Sequence, residues 1–338
     1  MIGVSEEISN KLRNMAICCA VMVVLIHVNR DSCSNWILAM LVGRGGVCRI
    51  AVPFFFLGSG LFLAGKSVEL GWYGKALKRR FRSLLVPYVI FNVLYWLYLN
   101  TPAICRNFSG MLDGMTVYGT CWNVFKNLLI CPYLGILWFL RTLMVWIVLS
   151  PIAVYVAKNK VRSFVMLTMF AVVAIVASCF CGTRLNDIVF QTIGYNGPIY
   201  FLIGMMIRFG TFKIPDVKTI MLLIGIGVVL IVKIMASWIP SGSIVQSLVN
   251  RFMLFPFLLL LVWRIMPKSE WPVVVTSAAF PIYMVHMFAN GISSLFIVSD
   301  TPFRWVLRCV VVVMLSFASV IVLKRFLPRT ANLLFGGR

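Results

Sequence analysis

Long apolar runs dominate the chain, and short clusters of Lys, Arg, Gly and Pro separate them. A helix needs roughly 20 apolar residues to cross the hydrocarbon core of a bilayer. By that rule the pattern predicts ten crossings, near 14–29, 47–65, 83–100, 134–157, 163–181, 190–209, 219–238, 248–266, 272–292 and 304–323. Several are interrupted by Pro, Gly or a charge; the sixth carries Gln191, Gly194, Asn196, Gly197 and Pro198. Loops longer than a turn are expected at 30–46, 66–82 and 101–133. No fixed-period repeat, low-complexity tract or second-domain boundary is visible, so 1–338 reads as a single all-α, polytopic membrane domain. Lys11 and Arg13 precede the first run as in a secretory signal, but no small-x-small cleavage site follows. The expectation is a retained first helix.

Composition supports a lipid environment. Apolar residues make up 61% of the chain and charged residues 12%, against about 45–50% and about 25% in soluble domains. Mean hydropathy is +0.98. The net charge of +22 would suggest nucleic acid in a soluble protein. Its placement gives another reading. With a cytoplasmic N-terminus and alternating helices, most cations fall inside, in clusters around Lys11 and Arg13, 66–82, 158–162, 208–218, 264–268 and 324–338. Positive-inside bias therefore predicts both termini cytoplasmic and needs no nucleic acid. The ten cysteines contain no Cys-x-x-Cys pair. Cys18, Cys19, Cys179, Cys181 and Cys309 lie in apolar stretches; Cys33, Cys105, Cys121 and Cys131 lie in predicted outer loops, where spacing alone defines no disulfide. With two histidines and nine acids, no metal site is expected.

The same topology sends both histidines toward the outer side. His27 stands at the outer end of the first helix and Arg13 at its inner end, about 21 Å away and within roughly 40° on one face. Two readings stand for His27: an interfacial imidazole satisfied by water or a carbonyl, and a general base toward a hydroxyl. Asp31, one turn later, either orients it or is a solvated loop acid. Tyr283 and His286 share a helical face near the outer surface, and a site containing both histidines is one reading. Ser59, between Gly58 and Gly60, reads as a nucleophile or as close helix packing. No Gly-x-Ser-x-Gly elbow accompanies it. Arg80 and Arg82 belong to a cationic helix start that either anchors the membrane or captures phosphate. Trp138 fits an interfacial belt. Arg141, one turn inside, should face the bundle or a wet cavity, whereas Lys233 can snorkel.

Five blocks occur in an order that resembles the membrane-bound acyltransferase-3 family: Val23-Val-Leu-Ile-His27, Val52-Pro-Phe-Phe-Phe-Leu-Gly-Ser-Gly60, Arg80-Phe-Arg-Ser-Leu-Leu-Val-Pro-Tyr88, Leu137-Trp-Phe-Leu140 and Ile282-Tyr-Met-Val-His286. The resemblance implies a ten-helix bundle in the bacterial cytoplasmic (inner) membrane. It also implies transfer of an acyl group, usually acetyl from acetyl-CoA, onto a hydroxyl of a surface glycan or lipid-linked sugar. Acyl-CoA would be a co-substrate, with no permanently bound cofactor. The family's essential histidine maps onto His27. Its arginine, eleven residues earlier, falls on Ala16, with Arg13 almost one turn further back. The family's Ser-Gly-Tyr is Ser59-Gly60-Leu61 here, so that tyrosine is lacking. No esterase-like domain is expected after the tenth helix. The resulting assignment gives His27 the catalytic role and Arg13, Arg80 and Arg82 the donor phosphates. Trp138, Arg141, Ser59, Tyr283 and His286 are assigned to the substrate or oxyanion. The competing reading is a multi-helix transporter or flippase for a sugar-linked or small polar solute, although no inverted repeat is visible.

Overall fold

A computed structural model describes residues 6–28, 36–43, 46–67, 71–106, 135–179, 197–236, 245 and 248–337. Helix α1 (Glu6–His27) carries Glu6 and Glu7 in its first turn, where carboxylates complement the positive end of the helix dipole. A short α2 (Trp36–Val42) and a 3-10 turn (Val47–Ile50) lead into α3 (Ala51–Lys66). Next come α4 (Trp72–Arg80), a π turn (Phe81–Leu85) and α5 (Val86–Arg106). A 3-10 turn (Gly135–Leu137) opens α6 (Trp138–Val148), followed by α7 (Ser150–Ala157), α8 (Lys160–Cys179), α9 (Gly197–Phe209) and α10 (Thr219–Ala236). The chain ends through a second π turn (Asn250–Leu254), α11 (Phe255–Ile265), α12 (Val273–Thr276), α13 (Ala279–Ser294), α14 (Pro302–Phe326) and α15 (Pro328–Leu334). Among the described residues there is no strand.

The sequence expectation of an all-helical membrane protein holds at this level. By length and composition five stretches can cross a bilayer: Glu6–His27, Met40–Lys66, Trp72–Tyr98, Thr219–Ala236 and Pro302–Phe326. A sixth is the α6–α7 pair, bent by 67°. The predicted span 134–157 is thus broken, because Pro151 in the first turn of α7 cannot donate back into α6. The span 272–292 is likewise divided, between α12 and α13. Two predicted loops contain helix: α2 lies in 30–46 and α4 in 66–82. The second follows from its composition, since Ala, Leu, Lys and Arg are good helix formers and Ala76 is buried. Of the span 190–209 only Gly197–Phe209 is described, and the loop beyond Arg106 lies outside the described residues.

Large apolar side chains point outward along α8, α10 and α14, among them Phe164, Ile220, Phe303 and Met314. Such faces suit lipid rather than water. Inside, α3 and α9 cross at backbone contact. A Cβ on Gly60 would stand 2.0 Å from the Phe201 carbonyl oxygen, and one on Gly204 would stand 2.0 Å from that of Leu57. Glycine is what lets these backbones meet. Helix α1 packs against α3 and α13, and α14 packs along α13 and also touches α1.

Several basic segments meet at one end of the bundle. Lys268 pairs with Glu7 at 3.2 Å and Arg264 with Asp216 at 2.6 Å. Lys11 donates to the Trp263 carbonyl, and Lys324 donates to Ser277. His27, His286, Asn290 and Trp305 gather at the opposite end of α1.

Candidate active site

His27 is the last residue of α1, with Nδ1 2.8 Å from the Val23 carbonyl. His286 lies within α13, with Nδ1 2.8 Å from the Tyr283 carbonyl. A carbonyl oxygen only accepts, so Nδ1 is the protonated nitrogen, and in the neutral ring Nε2 presents a lone pair. The rings lie 5.2 Å apart, tilted by 55°. His286 is fully buried, and its enclosed Nε2 meets no hydrogen-bond partner among the described residues. His27 is half-buried. In this tautomer His286 accepts a hydrogen bond, so it suits a substrate hydroxyl rather than an oxyanion.

A second layer fixes the end of α1. Asn290 donates from Nδ2 to the His27 carbonyl at 3.1 Å, and Trp305 donates from Nε1 to the Val28 carbonyl at 3.2 Å. Both carbonyls stand at the C-terminal end of α1, His27 as its last residue and Val28 just beyond, where no further turn supplies a donor. Arg308 in turn donates to Asn290 Oδ1 at 2.9 Å, Ser299 Oγ at 3.2 Å and Ser293 Oγ at 3.4 Å. Sequence reasoning missed Asn290 and Arg308. The available signal was Arg308 itself, a cation beside Cys309 and the Val310–Val313 run, which should turn toward protein rather than lipid. Asp31 lies outside the described residues, as do Cys33, Cys121, Cys131 and the side chain of Cys105.

Toward the basic end a cavity of about 1020 Å³ opens between α1, α3, α4, α6 and α13. Arg80 and Arg82 line it together with Arg13, Lys66, Lys75, Lys78 and Arg79, and no acidic residue is in its lining. The π turn at Phe81–Leu85 joins α4 to α5 and carries Arg82; Pro87 lacks the N–H that an α-helix would return to the Ser83 carbonyl, and a wider turn accommodates the break. Ser59 and Ala16 are in the wall. The C-terminal Gly336 and Gly337 also reach it. Gly336 has φ +63° and approaches Ser83 so closely that a Cβ would stand 2.5 Å from its carbonyl oxygen. Arg13 is not held open, because both Glu270 oxygens accept from its Nη1 at 2.8 and 2.9 Å.

Tyr283 lines the cavity and links it to the histidines. Its ring lies 6.0 Å from Phe139 and 6.2 Å from His286. Its hydroxyl donates to the Ile136 carbonyl. Arg141 is buried on α6, and Trp138 packs edge-on to Phe139; neither lines the cavity. The structure therefore gathers Arg13, Arg80, Arg82, Ser59 and Tyr283 on one cavity, joins His286 to His27, and leaves Arg141 and Trp138 outside both groups.

A cationic cavity thus lies beside Tyr283, which packs against the first of two neighbouring imidazoles. The family model described as "Acyltransferase domain" matches residues 12–323. This chain belongs to the acyltransferase-3 family. Comparisons with curated proteins and with solved structures give no match. The acyltransferase-3 match spans α1 through most of α14, so it includes both histidines, Arg308 and every residue of the cationic rim except the C-terminal glycines. The protein is a multi-pass membrane acyltransferase with O-acyltransferase activity as the general chemistry.

Proposed function

We propose that this acyltransferase moves an acetyl or other short acyl group from cytoplasmic acyl-CoA to a hydroxyl of an extracytoplasmic carbohydrate. The carbohydrate is a surface glycan or its lipid-linked precursor, and the membrane is the bacterial cytoplasmic membrane. The observation that carries the reading is proximity: Tyr283 lines the cationic cavity and packs 6.2 Å from His286, which is 5.2 Å from His27. In this reading the basic end is cytoplasmic, as positive-inside bias requires.

The donor's phosphates bind at Arg80 and Arg82, since guanidinium groups offer paired donors to phosphate oxygens. The pantetheine arm passes Ser59 and Tyr283 toward the histidines. His27 Nε2 takes the acceptor's hydroxyl proton, and the alkoxide oxygen attacks the thioester carbonyl. The tetrahedral intermediate expels the CoA thiolate, which takes the proton from the imidazolium. The products are the ester and free CoA. His286 Nε2 orients the acceptor hydroxyl.

His27→Ala tests the chemistry. A positioned general base contributes about 10²–10⁴-fold, so radiolabelled acetyl transfer in membranes should fall by that factor. Acetyl-CoA should still raise the melting temperature of the purified variant. Full transfer by His27→Ala removes the base from the mechanism. Absence of any acetyl-CoA shift in the wild type, with other acyl-CoAs equally silent, removes the donor.

A further inference from the structure

A second cavity, of about 340 Å³, lies beside the cationic one, and Leu12 and Phe54 form part of both walls. Its lining comes from α1, α3, α9 and α11 and the segment after α9, and it is almost wholly apolar. The one charged residue in the lining is Arg208. Arg208 Nε and Nη1 are shielded from solvent and meet no hydrogen-bond partner among the described residues. Room for the group is made by Gly65, where a Cβ would stand 2.9 Å from Arg208 Nε. Gly65 is in the last turn of α3, so the negative end of that helix offsets part of the cost of the charge. It does not supply acceptors for the two nitrogens. Nη2 is not shielded in this way, and the residue as a whole is only half-buried, so an anion of the surrounding medium can meet the guanidinium there.

From this we infer that the groove is a binding site for an anionic glycerophospholipid, with one acyl tail along α1, α3 and α9 and the phosphate against Arg208. The medium decides the occupant. The walls belong to a membrane protein, the cavity is apolar over its length, and the single cation is at one end, which matches a chain carrying one anionic head. The acceptor and the transferred acyl group are excluded by position. In the reading above they meet at His27, at the far end of α1 from Ile8, which lines this groove. Because Leu12 and Phe54 separate the two cavities, the bound tail buttresses the wall of the donor site. The assignment of that neighbour as a donor site rests on the proposed function; the lipid site itself does not.

The test reads binding rather than acyl transfer, so it fails independently of that function. Detergent-purified protein is exchanged into mixed micelles with phosphatidylglycerol or phosphatidylcholine and analysed by native mass spectrometry. The expected result is one retained phosphatidylglycerol, with phosphatidylcholine held about tenfold more weakly. Arg208→Gln should lose that preference and Arg208→Lys should keep part of it. Ile203→Trp, which fills the groove away from the cation, should exclude the lipid in a protein that keeps Arg208. Equal retention of phosphatidylglycerol by wild type, Arg208→Gln and Ile203→Trp overturns the proposal. So does equal retention of the two lipids by the wild type. Competition by oleate or inorganic phosphate as effective as phosphatidylglycerol overturns the choice of a phospholipid. Should Arg208→Gln be aggregated, the Ile203→Trp comparison decides alone.

Discussion

At the residue scale, one hydrogen bond on each imidazole sets the chemistry. The Val23 and Tyr283 carbonyls favour the Nδ1–H tautomer of each neutral ring, and in the proposed reaction this leaves Nε2 to meet the acceptor. That assignment was unreadable in the sequence, because it depends on which backbone carbonyl each ring meets. His27, Tyr283 and His286 were legible as candidates, since ionisable groups in apolar helices are rare. Their contact depends on α1 packing on α13. Arg13 shows the reverse case. Its face and spacing were legible, yet Glu270 occupies its guanidinium, and nothing near Arg13 in the chain announces that partner. Glu270→Gln should free Arg13 and tighten CoA binding about two- to tenfold, while Arg13→Ala weakens it. Arg13 is half-exposed, so neither change should shift stability by more than about 1 kcal/mol. Isothermal titration with CoA checks both; unchanged affinity in the two variants removes Arg13 from the donor site.

At the element scale, prolines explain where spans predicted as single helices depart from the observed ones. Pro151 divides α6 from α7. Pro87 and Pro256 each follow a π turn, at Phe81–Leu85 and Asn250–Leu254, and the helical path continues through them. Periodicity registers a proline as an interruption, but whether the chain bends or widens depends on what packs around it. Close helix contact is the other decision at this scale. The Gly60 and Gly204 backbones touch the opposite helix, whereas a Cβ on Gly227 meets nothing within 4 Å. Gly60→Ala should force α3 from α9 and cost about 1–3 kcal/mol, the usual range for overpacking. Gly227→Ala should be neutral or stabilise by up to about 1 kcal/mol. Thermal unfolding in detergent compares the two; equal melting temperatures for wild type and Gly60→Ala would show that the contact relaxes freely.

At the scale of the whole molecule, the excess of positive charge is concentrated where the donor is proposed to enter. The rim collects cations from α1, α3, α4 and the π turn with no acid in the lining. Screening should therefore control donor binding. Raising ionic strength from about 0.01 M to 0.15 M shortens the Debye length from about 30 to about 8 Å. Acetyl-CoA affinity should fall by about tenfold over that range. A Lys78→Ala, Arg79→Ala double variant should show a shallower dependence. Salt-independent affinity would mean that the rim anchors the membrane and takes no part in donor capture.

The sequence by itself determined the solvent, the helical class, the family blocks and the residue types from which a site is built. These follow from local composition and order, because burying a helix in lipid depends on its own apolar length. Only the tertiary structure decided which candidates meet. It paired His27 with His286, placed Asn290 and Arg308 behind them, gave Arg13 to Glu270, and separated a cationic cavity from an apolar one with Leu12 and Phe54 between. Each of these contacts joins residues far apart in the chain through helix crossings, and the glycines and prolines that set those crossings act through their neighbours in space.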